Sequence, residues 1–272
     1  MIYAILGALV VGLSLGIFGS GGSILTVPVL VYLLHHEDKV AIAESLAIVG
    51  SIALLGALPY AKAKLVDWRT AVLFGVPGMA GTYLGAWLAA LVAGYVQLLV
   101  FAGVMLIAAA QMWRRSKPKD AETARAPKRP TLKIGIEGLA VGVLTGFVGV
   151  GGGFLIVPAL VLLGGLAMRQ AVATSLVIIA LKSAAGFWKY LDVLQQADQT
   201  VHWPTIAIFV AFGTIGAFAG KAVNTKFDQR ALQMGFAVFL VVMAGFILVR
   251  ESGDLLASAD PTPPTHLEGS GP

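Results

Sequence analysis

The chain has 272 residues, of which 58% are hydrophobic and only 12% charged, with a mean hydropathy of +0.87 and a formal net charge of +5. A composition this apolar excludes an ordinary soluble domain and points to a protein that crosses a bilayer several times. The positive balance excludes little by itself, because eight of the nineteen basic residues fall in one segment, RRSKPKDAETARAPKRPTLK at 114–133; that clustering argues for a loop held on the cytoplasmic side and against a nucleic-acid partner.

Apolar runs follow one another at 2–34, 40–61, 70–92 and 95–113, and after the basic segment at 134–164, 170–190, 203–221 and 231–249. Several have the roughly twenty residues a helix needs to cross the hydrocarbon core. The alternation of polar and apolar residues that marks a membrane β-barrel is absent. MIYAILGALVVG lacks a basic leader and a small-residue cleavage site, so it reads as a retained membrane segment. The polar, proline-rich stretch after Arg250 reads as a disordered tail, and its final LEGSGP as vector-derived sequence. Without cysteine there is neither a disulfide framework nor thiolate chemistry.

The first run, 2–34, has 33 residues. That is about 50 Å of helix, too long for one crossing of a ~30 Å core and too short for two. Within it stands GIFGSGGSILTVP at 16–28, and within 134–164 stands GFVGVGGGFLIVP at 146–158. Glycine supplies the unusual backbone angles of a break, and a proline six residues on suits the start of a new helix or a kink. Each run is therefore predicted to be a hairpin of two short helices meeting inside the membrane. Unwound backbone at that depth is tolerable only where protein encloses it or water reaches it, and the N–H groups that open the second short helix form a place for an anion.

The two glycine segments belong to a longer repeat. At an offset of 130, Gly12, Gly16, Gly19, Gly21, Gly22, Leu25, Val27 and Pro28 match Gly142, Gly146, Gly149, Gly151, Gly152, Leu155, Val157 and Pro158. Ser45–Leu46, Gly56 and Tyr60 match Ser175–Leu176, Gly186 and Tyr190; at an offset of 135, Trp68, Gly78, Gly81 and Gly85 match Trp203, Gly213, Gly216 and Gly220. The expected fold is an all-α polytopic membrane protein of two tandem repeats, 1–113 and 134–250, joined by the linker 114–133 and followed by the tail 251–272. Each repeat is a broken-helix hairpin plus three transmembrane helices. Five segments per repeat invert the second copy relative to the first. With the linker inside, Lys62, Lys64, Arg69, Lys221, Lys226 and Arg230 also fall inside and both termini outside.

Broken helices at matching places in two repeats point to a transporter's binding site. The expected substrate-binding residues are Gly19, Ser20, Gly21, Gly22 and Ser23 in the first break, and Gly149, Gly151, Gly152 and Gly153 in the second. Gly78, Gly81, Gly85, Gly213, Gly216 and Gly220 read instead as small-residue seams between helices. Lys182 stands inside an apolar run, where an ammonium costs roughly 2.5–3.5 kcal/mol unless it faces a cavity or a partner. It is assigned to the anion, with an ion pair to Glu44 as the alternative. Glu44 is equally an interfacial carboxylate near a helix start or a proton-coupling group. Ser45, Thr174 and Ser175 offer hydroxyls to an anion, although such groups often bond back to their own helix.

Together with the glycine segments, A-x-S-L as AESL at 43–46 and ATSL at 173–176, and the connectors VDW at 66–68 and VHW at 201–203, resemble the TauE/SafE sulfite-exporter family, also called the toluene-sulfonate uptake permeases. The resemblance covers nearly all of residues 1–250. It implies a multi-pass carrier of the bacterial plasma membrane for sulfite, sulfoacetate or related organosulfonates, working by alternating access. An anion channel, or a carrier of a non-sulfur organic acid, is the alternative. Glu44 standing where the second copy has Thr174 means the copies cannot supply identical ligands.

Enzymatic chemistry finds little support: neither Ser20 nor Ser23 sits in G-x-S-x-G, and no H-E-x-x-H is present. His35, His36, His202 and His266 read as solvated groups at span ends or in the tail, so no metal site and no cofactor are expected. The expected partners are a small anionic substrate and the lipid bilayer, with a homodimer as the assembly to test.

Overall fold

The computed structural model describes residues 2–19, 21–89, 94–115, 130–148, 153–196 and 198–259. Of the expected site, Ser20, Gly149, Gly151 and Gly152 lie outside the described residues, as does nearly all of the basic linker. The described residues form ten α-helices and no strand: α1 Ile2–Phe18, α2 Gly21–Pro28, α3 Asp38–Lys62, α4 Trp68–Ala89, α5 Gly94–Arg115, α6 Thr131–Val148, α7 Gly153–Leu162, α8 Met168–Gln196, α9 Trp203–Lys226 and α10 Gln229–Ala259. Among them, Val40–Lys62, Met168–Trp188, Trp203–Lys226 and Arg230–Val249 are long and apolar enough to cross a membrane. Leu54, Leu58, Trp87, Val241, Val242 and Phe246 turn outward, as expected of helices whose solvent on that side is lipid.

The first overlong run divides where the glycines stand. α1 ends at Phe18, Gly19 takes φ +76°, and α2 opens at Gly21. That angle is the left-handed region, which glycine enters without steric cost. α2 then returns along α1: a Cβ on Gly22 would meet Leu15 Cδ1 at 2.5 Å, and one on Gly7 would meet Val29 Cγ1 at 2.7 Å. Pro28 has no N–H to continue the i→i−4 ladder, and the chain widens into a π-helical turn over Val29–Leu33. In the second run, α6 ends at Val148 and α7 begins at Gly153.

Small residues set the principal contacts. α1 lies against α9 so closely that Cβ atoms on Gly12 and Gly16 would collide with Gly213 O and Ala217 O, while Cβ atoms on Gly216 and Gly220 would sit 2.5 Å from Leu9 O and Leu13 O. α4 lies against α6 in the same manner, with Gly81 and Gly85 on the carbonyls of Leu139 and Val143, and Gly138 and Gly142 on those of Phe74 and Gly78. Residue numbers rise together along both seams, so the helices of each pair run parallel. The six glycines assigned to packing do pack: Gly78, Gly81, Gly85, Gly216 and Gly220 face neighbouring backbone, while a Cβ on Gly213 would collide with Ile52 Cδ1 of α3. α3 and α8 cross antiparallel: Gly50 meets Ser183 and Gly186 meets Leu46.

Side chains tie the helix ends. At one end Lys221 Nζ donates to Pro59 O at 3.4 Å, Arg69 to Thr131 Oγ1 at 3.2 Å and Arg169 to Phe227 O at 2.7 Å. At the other end Gln199 donates to Glu37.

Candidate functional site

The break after α1 is sealed by protein on its carbonyl side. Tyr60 Oη donates to Gly16 O at 3.0 Å, Asn224 Nδ2 to Ile17 O at 2.7 Å, and Gly19 N to Leu15 O at 2.7 Å. Ser175 Oγ lies 3.1 Å from Gly19 O and 2.8 Å from Val172 O, so its one proton is divided between them. The carbonyls that a helix end leaves unpaired thus find partners on α3, α8 and α9, as burial requires. No side-chain acceptor among the described residues meets the N–H groups that open α2.

Gly19 and Ser175 are brought together; Ser45 is not with them. Ser45 Oγ donates to Ile42 O at 2.8 Å, three residues back on its own helix. With α3 and α8 antiparallel, Ser45 stands opposite the stretch near Trp188, about 19 Å along α8 from Ser175 at 1.5 Å per residue. The hydroxyls of Ser45 and Ser175 are therefore spent on carbonyls at separate ends of the crossing. Thr174 is engaged as well, since Asp67 N donates to its Oγ1 at 3.0 Å. Asp67 in turn caps α4, accepting from Thr70 N at 3.1 Å and Thr70 Oγ1 at 2.7 Å.

Lys182 is 9% exposed and lies inside the Met168–Trp188 span. Its ammonium makes one hydrogen bond among the described residues, to Thr145 Oγ1 at 3.2 Å, and Thr145 itself donates to Gly142 O at 3.0 Å. Thr145 stands in the last turn of α6, just before the second glycine segment. Ser175 and Lys182 are seven residues apart and hence on one face of α8, about 10 Å from each other. Lys182 thus lies between the contact of the first break and the helix end that leads into the second. Gly153, expected with the second break, opens α7 and is buried.

The ion pair considered between Lys182 and Glu44 is not formed. Lys182 faces α6, whereas Glu44 lies about 10 Å further along the crossing, near the start of α3. The Glu44 side chain is fully buried and accepts from His202 N at 2.6 Å; Nδ1 of His36 lies 2.6 Å from one carboxylate oxygen and Nδ1 of His202 2.9 Å from the other. This corrects the expectation that these histidines are merely solvated. His36 is 13% exposed, and its ring centroid is 4.5 Å from that of His202. Sequence reasoning missed the cluster because 166 residues separate the two histidines. A usable signal existed in the two repeated motifs: the variable residue of each A-x-S-L accepts from the backbone N–H of the variable residue in the other V-x-W, Thr174 from Asp67 and Glu44 from His202.

A cavity of about 610 Å³ opens beside the α3–α8 crossing, lined by residues such as Gly50, Ser51, Leu54, Leu181, Ser183 and Phe187, with Trp68 and Trp203 at its ends. No charged residue lines it, and neither do any of the expected site residues, so its chemistry does not suit an anion.

Residues 4–247 match the family model described as sulfite exporter TauE/SafE. The chain is 31% identical over 252 residues to a probable membrane transporter protein of Xylella fastidiosa, covering 91% of this chain and 94% of that one. It is 28% identical over 265 residues to the probable membrane transporter protein YunE of Bacillus subtilis, covering 89% and 95% respectively. It is 26% identical over 250 residues to a probable membrane transporter protein of Methanocaldococcus jannaschii, covering 88% and 92%. With nearly the whole chain matched and several helices apolar enough to span a bilayer, this is a multi-pass membrane protein of the sulfite exporter TauE/SafE family.

Proposed function

We propose that the chain is a bacterial plasma-membrane carrier for small sulfur-containing anions, sulfite or an organosulfonate, which meet Lys182 between the two glycine breaks. One observation carries this reading: a buried ammonium inside an apolar span whose sole described hydrogen-bond partner is a neutral hydroxyl. A cation so placed is stabilised by an anion that enters beside it, and the N–H groups opening α2 favour negative charge nearby. The family match supports transport, and the printed name of the family supports sulfite. Counterflow of labelled sulfite, sulfoacetate and a carboxylate in proteoliposomes, with and without a pH gradient, tests it. Saturable exchange of the sulfur anions is expected. Conductance without exchange would make the protein a channel, and exchange confined to the carboxylate would make it a carrier of another acid.

We also read residues 1–113 and 134–250 as inverted copies. Three arrangements support this: α1 with α9 and α4 with α6 run parallel, α3 and α8 cross antiparallel, and the two motif-to-motif hydrogen bonds exchange partners between the copies. Lys62, Arg69 and Lys221 gather at one end, the end the positive-inside rule assigns to the cytoplasm. A cysteine at Thr225 is expected to react only with reagent supplied from the cytoplasmic side, and one at the C-terminus only from outside. The opposite pattern would dismiss the inverted arrangement.

A further inference from the structure

The joint between the start of α3 and the start of α9 carries more chemistry than a joint requires. Its counterpart at the other end of the crossing is made by one hydroxyl, Thr174 Oγ1, accepting from Asp67 N. There, at an offset of 130, Leu166 stands in the place of His36. A neutral hydroxyl and a leucine therefore suffice to dock an A-x-S-L helix against a V-x-W connector. At the α3–α9 joint the same docking is done by a buried carboxylate flanked by two imidazoles. His202 also leaves its helix uncapped: it occupies the N-cap position of α9 but makes no side-chain cap bond, and its ring turns onto Glu44 instead.

We propose that His36, Glu44 and His202 bind a divalent first-row transition metal of the zinc type. Two imidazole nitrogens and one carboxylate oxygen lie within 4.8 Å of one another. Such a nitrogen-rich set suits zinc and its neighbours, whereas magnesium and calcium favour all-oxygen sites. The Nδ1–oxygen separations of 2.6 and 2.9 Å are those of hydrogen bonds. Around a tetrahedral ion with ligands at about 2.0–2.1 Å, neighbouring ligand atoms stand roughly 3.3 Å apart. Metal binding would therefore take Nδ1 of each imidazole as ligand, leave the ring proton on Nε2, and open the cluster by roughly half an ångström. His202, with its side chain 58% exposed, can make its share of that movement, and the 2.6 Å pair of His36 and Glu44 opens from the His36 side, whose side chain is 13% exposed where that of Glu44 is fully buried. The same exposure admits the ion and leaves its fourth position to water. Occupied, the site would fasten His36 and Glu44 to His202, two parts of the chain more than 150 residues apart.

The test uses the whole chain in detergent, free of any histidine tag, and reads binding rather than transport, so its outcome is independent of the anion assignment. Titration with zinc chloride, followed by calorimetry and by thermal unfolding, is expected to give one ion per chain at micromolar concentration with a rise in melting temperature. Magnesium chloride should give neither. His202→Ala, which removes a mostly exposed ring, should weaken zinc binding at least tenfold, and Glu44→Gln should do the same in protein that retains its helical circular dichroism. His35→Ala should bind as the parent does. Absence of saturable zinc binding, or an affinity unchanged by His202→Ala, would overturn the site.

Discussion

Lys182→Met is expected to yield a folded protein that no longer carries its anion. The substitution keeps the length and volume of the side chain and removes its charge. A unit charge 4 Å from an anion contributes about 4 kcal/mol at the effective dielectric of protein sites, so binding and uptake should fall by two to three orders of magnitude. Stability should move the other way or not at all. The hydrogen bond to Thr145 Oγ1, worth about 1 kcal/mol, is lost, but so is an ammonium that costs roughly 2.5–3.5 kcal/mol to hold inside the membrane. Lys182→Arg should keep part of the uptake with altered selectivity, since guanidinium retains the charge in a larger planar group. Because Glu44 is not the partner of Lys182, adding Glu44→Gln to Lys182→Met should shift the melting temperature by the sum of the single effects. Uptake of labelled sulfite and thermal unfolding of the four proteins check this; a stable Lys182→Met protein with normal uptake removes Lys182 from the site.

Gly19→Val should be the most damaging single change at the first break. Valine would have to adopt φ +76°, and its Cβ would stand 2.6 Å from Ser175 Oγ and 2.8 Å from Val172 Cα. The backbone angle alone costs about 1–2 kcal/mol, and the clash with the backbone of α8 cannot be relieved by a rotamer. Relief requires lifting the end of α1 from α8, which strains the bonds that Tyr60 and Asn224 make to Gly16 O and Ile17 O. A loss of about 3 kcal/mol or more is expected, together with loss of uptake. Ser175→Gly added to it should recover only a fraction, because the angle and the contact with Val172 remain. Gly103→Ala is the control, since a Cβ there meets nothing within 4 Å. Fluorescence-detected size exclusion after graded heating gives the ranking, and a Gly19→Val protein as stable as the parent would mean that the chain turns elsewhere.

The helical class and the first break were legible in the sequence because both rest on local signals. Run length against bilayer thickness demanded an interruption in 2–34, and Gly19 is where the backbone turns. The seams were legible for the same reason: glycine at Gly78, Gly81 and Gly85 leaves room that only another backbone fills. The polar residues were harder. Ser45 and Ser175 share a motif and a rotamer habit, each bonding three residues back, yet no spacing along the chain reveals that they lie at opposite ends of one helix crossing. The Glu44 cluster joins residues whose partners are chosen only when α3 meets α9, so its histidines looked like loop residues until the fold placed them.

The two parallel seams also decide which pieces can swing. Each joins a helix of residues 1–113 to one of residues 134–250, with backbone against backbone at Gly12 and Gly213 and at Gly142 and Gly78. Sliding within a seam would drive carbonyls into one another, so in any rearrangement α1 would be expected to travel with α9 as one blade and α4 with α6 as the other. With alternating access in the carrier proposed above, the blades would scissor about the crossing of α3 and α8, where Gly50 meets Ser183, the neighbour of Lys182. On that proposal the charge would stay nearly fixed while the openings alternate around it, and an anion would meet the same cation whichever side it came from.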